Sequence, residues 1–366
     1  MDKIFLIDEN TITYNELIDY INGQTTLIQY NELELFFLNT IKNLIPRKVV
    51  EDYDDLIKKL YQQNKSIELL TSGTTDEPKV VYQSFKNMVR NIKVSEARRG
   101  DVWGMFYQPV RMAGYQVLFQ ALLNKNTLVN MFRYDFSDVQ DRILTYNVTH
   151  LSATPTLYKM IISKDIVFDK VKQLTLGGEG STESFQNMII KYFPNARLKN
   201  IYASTEAGSL FASSNDAFHI PEKYMDKIKI VEDVLWIHES ILGKSSSIDL
   251  DNGWYNTGDL VTFVNKNSFK ILGRSSNVVK IAGYNVNVES VEMKIHKLDF
   301  VKYCRVYSEE NSLLGNILIC ELVPNQSIEL KEAKSKIKEV LEKYEVPTKI
   351  KFVESIELSE NGKIKR

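Results

Sequence analysis

The sequence predicts an α/β protein with a large N-terminal domain of mixed sheets flanked by helices and a small α+β C-terminal domain. Three observations predict this. Short apolar runs alternate with amphipathic helical stretches through the middle of the chain, the pattern of a sheet covered by helices. The 366 residues are too many for one ordinary core and suggest two or three lobes. Near Arg274 the pattern changes, with no low-complexity linker to mark it. The expected domains are therefore residues 1–273 and 274–366.

In chain order, residues 14–21, 33–41 and 56–61 carry apolar positions at helical spacing, so the first 65 or so residues read as mostly helical. Residues 67–71 read as a strand, followed by a polar loop and a helix from about 84 to 98. Residues 101–107, 127–131, 150–153 and 173–176 read as further strands, with helical patterns between and after them such as 181–192. From 227 to 272 the helices give way to short strands and turns, among them Asp251, Asn252, Gly253. In the last segment 287–298 and 330–344 are helix candidates, and 301–306 and 317–323 are strands.

Composition narrows the function classes. The 46 basic and 47 acidic residues balance, which argues against a nucleic-acid partner. No apolar run approaches the roughly 18–20 residues of a membrane span. The start lacks the charged-then-apolar layout of a signal peptide. Cys304 and Cys320 have no CxxC spacing and read as buried structural thiols. A cytoplasmic protein is expected. His150, His219, His238 and His296 are scattered, without zinc spacing.

Five segments carry chemistry. The first runs Leu70, Thr71, Ser72, Gly73, Thr74, Thr75, Asp76, Glu77, Pro78, Lys79. Small residues let backbone N–H groups approach phosphate oxygens, hydroxyls add donors, and the lysine adds charge. A solvated surface loop has the same composition. An ordinary P-loop does not fit, because the second glycine and the following Ser/Thr are missing. The other four are Tyr202 to Gly208, Gly253 to Leu260, Leu272-Gly273-Arg274 through Lys280 to Tyr284, and Asn361 to Arg366. Each alone is turn chemistry.

In this order the five segments resemble the acyl-adenylate-forming superfamily: acyl-CoA synthetases, aryl-acid ligases, peptide-synthetase adenylation domains and luciferases. The resemblance covers about residues 69–366. It implies that the Thr71–Lys79 loop covers the β- and γ-phosphates of ATP. It places Gly178 and Glu179 at the adenine pocket and Tyr202 against the adenine ring. Thr205 would donate to the α-phosphate and Glu206 would hold Mg²⁺. Asp259 would accept both ribose hydroxyls, with Arg274 on the ribose side where the mobile lobe begins. Lys363 would reach into the site during adenylation. The residue types suit the chemistry, since attack of a carboxylate on an α-phosphorus needs a metal, a cation and oriented donors. No histidine is required, because the acid is already ionised at neutral pH.

The chain departs from the family's pattern at three places. Asp76 stands where the loop usually has glycine, Ser276 replaces a charged hinge residue, and only about 70 residues precede the loop. The stretch 108–116 has no acidic residue to hold a substrate ammonium, which disfavours amino acids. Gln108 stands where the family often has histidine. Met112, Tyr115, Phe106 and Tyr107 suggest an aromatic or apolar acyl group, and Arg111 is either solvated or set against a second substrate acid. The leading expectation is a ligase passing the acyl group to CoA or to the phosphopantetheine of an acyl or aryl carrier protein. The alternatives are an adenylating enzyme with an amine or hydroxyl acceptor, and a non-catalytic nucleotide-binding relic.

Overall fold

A computed structural model describes residues 2–24, 30–45, 49–70, 79–162, 166–181, 183–311 and 315–357. Its centre is an eight-stranded sheet. From one edge to the other the strands are Gly208–Ser213, Arg197–Ser204, Gln173–Gly177, His150–Ala153, Val102–Met105, Thr127–Asn130, Ile4–Ile7 and Thr11–Thr13. The six inner strands pair in parallel, and the two edge strands pair antiparallel. Parallel pairing needs crossovers. Helices Met112–Leu123, Phe136–Thr145, Pro155–Ile161 and Glu183–Ile189 supply them.

Chain order reverses beside Val102–Met105, whose neighbours are Thr127–Asn130 on one side and His150–Ala153 on the other. In open sheets of this kind, ligands bind beyond the carboxyl ends of the strands near such a reversal. Two cores cover the faces. One contains Phe37, Leu60, Phe85 and Phe119, and the other Val139, Tyr158, Phe168 and Phe193. Each large side chain buried in this way contributes about 1.5–3 kcal/mol.

A second, six-stranded sheet is built from residues 217–274, with Trp254–Asn265 central and Ser268–Arg274 beside it. Asn252 and Gly253 form its two-residue turn, both at positive φ (49° and 81°), as an Asn-Gly hairpin requires. The C-terminal segment has its own core, with Val291, Ile295, Phe300, Cys304, Cys320 and Ile337. It packs helices Val288–Ile295 and Leu330–Val340 on a three-stranded sheet.

Two expectations are corrected. Residues 84–98 do not form one helix. Val80–Ser84 is a strand paired antiparallel with Ser66–Leu70, the helix covers only Phe85–Val89, and a short 3₁₀ turn spans Glu96–Arg98. Ser84 caps the helix at the predicted start, but beyond it Arg90 and Asn91 bond the Ile241 and Ser209 carbonyls. The first 65 residues also contribute two strands to the main sheet: Ile4–Ile7 pairs with the remote strand Thr127–Asn130, and Thr11–Thr13 pairs with Ile4–Ile7. Among the described residues no helix is long and apolar enough to cross a membrane.

Candidate active site

The Arg197–Ser204 strand runs past its parallel neighbour. Register ends at Gly177 opposite Ile201, so Tyr202, Ala203 and Ser204 overhang the carboxyl edge. A tight turn over residues 205–207 follows, closed by the Ala207 N–H donating to Ser204 Oγ at 3.1 Å. Thr205 and Glu206 are therefore presented at the edge that the strand reversal opens.

Tyr202 joins the two large sheets. Its ring packs with Phe211 and Phe218 at 5.6 and 6.3 Å, and its hydroxyl donates to Asp259 Oδ2 at 2.6 Å. Asp259 lies on the central strand of the second sheet, in register with Arg274. Arg274 Nε stands 2.9 Å from Asp259 Oδ1, and Arg274 Nη1 donates to the Thr257 carbonyl at 2.7 Å. The Asp259 N–H donates to Thr257 Oγ1 at 3.0 Å. The Asp259 carboxylate is thus held by Tyr202 from the main sheet and by Arg274 from the neighbouring strand.

Burial dominates its electrostatics. It pushes the Asp259 carboxyl up, against the pull of Arg274 and the Tyr202 and Thr257 hydrogen bonds. It pushes the Tyr202 phenol well up, and the adjacent Asp259 adds to this. Burial alone would lower the Arg274 guanidinium, but Asp259, Tyr202, Tyr255 and Glu206 outweigh it and leave it raised. The Arg274 side chain is 49% exposed, so the pair adds little to stability. Its value lies in aim.

Arg274, the last residue of its strand, also contacts residues 287–289. Its N–H donates to Glu289 Oε2 at 2.8 Å, and Asn287 Nδ2 donates to its carbonyl at 3.0 Å. Gly273 permits this approach: its φ is +134°, and a Cβ there would meet Asn287 Oδ1 and Glu289 Oε2 at 2.7 Å.

The family model for AMP-binding enzyme matches residues 66–229, and the model for AMP-binding enzyme C-terminal domain matches residues 290–363. Together they cover well over half of the chain. The chain belongs to the AMP-binding enzyme family.

Among its relatives, 2-succinylbenzoate–CoA ligase of Bacillus subtilis is 24% identical over 328 residues, 81% of this chain and 67% of the relative. The chain thus spans about two thirds of that relative's length. Two solved structures share the fold. One is o-succinylbenzoate CoA synthetase (MenE) of Bacillus subtilis with its acyl-adenylate, at TM-score 0.73 and 19% identity, covering 99% of this chain and 94% of that one. The other is ATP-bound MatB of Rhodopseudomonas palustris, at 0.75 and 14%, with the same coverages.

The structure brings Tyr202, Asp259 and Arg274 into contact, and the charge of Glu206 acts on Tyr255 and Arg274 nearby. Gly178 adopts φ +80° just beyond the Gln173–Gly177 strand. Glu179 Oε2 accepts the Thr156 N–H at 3.1 Å, at the start of a helix. Lys79 is exposed at the foot of Val80–Ser84. Thr71, Ser72, Gly73, Thr74, Thr75 and Lys363 lie outside the described residues. Phe106, Tyr107, Met112 and Tyr115 are buried in the cores. Arg111 is half-buried and donates to the Leu70 carbonyl at 2.9 Å and to Gln108 Oε1 at 3.1 Å.

Sequence reasoning missed Thr257 and Gln83. Thr257 lay inside a recognised motif and serves both Asp259 and Arg274. Gln83 had one legible signal: Val81 and Gln83 alternate inward on their strand, so a polar residue occupies a core-facing position.

Proposed function

We propose that this protein activates a small carboxylic acid with ATP and passes the acyl group to a thiol, of CoA or of a carrier-protein phosphopantetheine. The supporting observation is the placement of Asp259 between Tyr202 and Arg274, where both sheets and the C-terminal segment meet. Each carboxylate oxygen has two acceptor sites. Tyr202 takes one on Oδ2, Arg274 one on Oδ1, and the Thr257 hydroxyl acts on the same carboxylate, so acceptor capacity remains for ribose hydroxyl groups.

In the first step a substrate carboxylate oxygen attacks the α-phosphorus. The bond to the β-phosphate oxygen breaks and pyrophosphate leaves. In the second, thiol sulfur attacks the acyl carbon, AMP leaves, and the thiol proton is released. Thr205 would donate to the α-phosphate. Glu206 suits Mg²⁺, an ion that usually takes one or two carboxylates and completes its shell with phosphate and water. Bound there, the metal would neutralise charge on the phosphates. We assign the adenylation cation to Lys363 from its motif, the phosphates to Thr71–Lys79 and the adenine wall to Gly178 and Glu179, and take residue 274 as the start of the moving lobe.

The absence of acidic side chains in 108–116 supports aryl or apolar acids over amino acids. Succinylbenzoate, named for a relative, belongs in the test panel. Carboxylate-dependent exchange of pyrophosphate into ATP, measured over an acid library with and without Mg²⁺, tests the reading. Repetition with CoA and with a loaded carrier protein identifies the acceptor. ATP binding without exchange for any acid would overturn it.

A further inference from the structure

Glu206 and Thr205 sit on a short turn, and something must hold that turn if a carboxylate and a hydroxyl are to keep their aim. The side chain that does so is Gln83, which is fully buried (0% exposed). Its Nε2 lies 2.9 Å from the Thr205 carbonyl oxygen and 2.8 Å from that of Glu206. Two consecutive carbonyls therefore accept from one amide group, whose two N–H donors match them in number. With both turned to one amide group, the two peptides that flank Glu206 are held in place. The Cα–Cβ direction of Glu206 is set with them.

The surroundings are built around this contact. The Gly243 N–H donates to the same Glu206 carbonyl at 2.7 Å. Residues 243–244 are held there by a backbone bridge between Tyr82 and Lys244. A Cβ on Gly243 would lie 2.7 Å from Gln83 Nε2 and 2.8 Å from its Cδ, so only glycine lets this backbone approach. On the other side Asn87 Nδ2 donates to Gln83 Oε1 at 3.4 Å and to the Leu242 carbonyl at 3.3 Å. An amide buried this deeply, with its donors committed to two backbone carbonyls, is costly to replace with any side chain lacking them.

We infer that Gln83 is a positioning residue: by clamping the two peptides that flank Glu206 it sets the Mg²⁺ response of the nucleotide site. The consequence for metal rests on the adenylation reading given above, whereas the clamp itself does not. A glutamate at position 83 keeps the size but presents acceptors to two carbonyls. A leucine keeps the volume and leaves both carbonyls unmet.

The test uses the whole chain and measures Mg²⁺-dependent ATP binding by calorimetry, pyrophosphate exchange and thermal melting for wild type, Gln83→Glu and Gln83→Leu. Partners that orient a metal ligand are worth roughly 10–100-fold in metal affinity. The folded variants should therefore need about tenfold more Mg²⁺ for half-maximal ATP binding. Exchange should fall by about 10²-fold, as expected for a reacting group displaced by an ångström. If the Gln83 variants fail to fold, Asn87→Ala and Gly243→Ala decide. Each disturbs the same amide from one side and should shift the Mg²⁺ half-saturation in the same direction by a smaller factor. Any folded variant set with a wild-type Mg²⁺ response overturns the proposal, even if its melting point drops. Wild type that binds Mg²⁺–ATP but exchanges no pyrophosphate would instead overturn the adenylation reading and leave the clamp to be judged by binding alone.

Discussion

At the carboxyl ends of the parallel strands, charges of opposite sign meet: Asp259 lies between Tyr202 and Arg274, with Glu206 nearby. At the amino ends, positive charge prevails. Lys3, Asp101, His150 and Lys172 begin or precede strands there, and Arg98 and Lys199 act on the same region. The His150 ring lies 4.7 Å from that of Trp103, and its Nδ1 bonds Thr149 Oγ1 at 2.9 Å. One edge holds polar groups with acceptor sites to spare, aimed by turns. The other holds titratable groups sealed by packing. The same sheet thus separates a surface suited to ligand from one whose charges act on stability.

The largest expected effect tests the first edge. Asp259→Ala should weaken ATP binding by about 2–5 kcal/mol, the loss of two hydrogen bonds to a charged group, while changing the melting midpoint far less. Calorimetry with ATP checks it, and an unchanged affinity in a folded variant would move the ribose elsewhere. His150→Gln should leave ATP affinity untouched.

The second edge should show itself through pH. Burial, together with Arg98, Lys172 and Lys199, pushes His150 from 6.5 down to about 4. The unfolded chain takes up this proton near pH 6.5, before the folded protein does, so acid favours unfolding. Stability is full above about 6.5 and is lost as pH falls towards 4. Between pH 7 and 4.5 this group should cost about 2.5 kcal/mol. His296, pushed to about 3 chiefly by burial, adds in the same sense. Urea midpoints at the two pH values should show a smaller loss for His150→Gln than for wild type. Equal losses would mean that His150 takes up its proton as readily in the folded protein as in the unfolded chain.

Gly273→Ala probes the seam beside the first edge. The backbone there favours glycine, and the new methyl group meets Asn287 and Glu289. A cost of about 1–3 kcal/mol is expected, with pyrophosphate exchange falling further than stability predicts. A variant with both unchanged would show that the Arg274–Glu289 link is dispensable.

The smallest effect has the opposite sign. Burial and the nearby Arg98 and Lys93 lower the Lys199 ammonium, so the charge is poorly placed. Lys199→Met should stabilise by under about 1 kcal/mol, seen as a raised melting point. A drop would show that Lys199 has a compensating partner.

Much of this architecture was legible locally. The strands at 127–130, 150–153 and 173–177 showed as short apolar runs between helical patterns, and the helix starts near 84 and 287 were legible. The Asn252–Gly253 turn and the residues Tyr202, Asp259 and Arg274 were also readable, because turn chemistry and motif spacing are properties of neighbours along the chain. The strand Val80–Ser84 was not. Its exposed Tyr82 and buried Gln83 reverse the usual alternation, and only pairing with residues 66–70 and 244 makes it a strand. Likewise Arg111 proved to be an anchor for Leu70, and Met112 and Tyr115 core residues. Sequence alone determined the alternating elements, the motif order and the residue types of the site. Tertiary structure decided that Tyr202 bonds Asp259, that Gln83 clamps the turn before Glu206, and which end of the sheet is sealed. The reason is physical: periodicity and capping act over a few residues, whereas these contacts join positions 57 to 123 apart, which folding alone brings within hydrogen-bond reach.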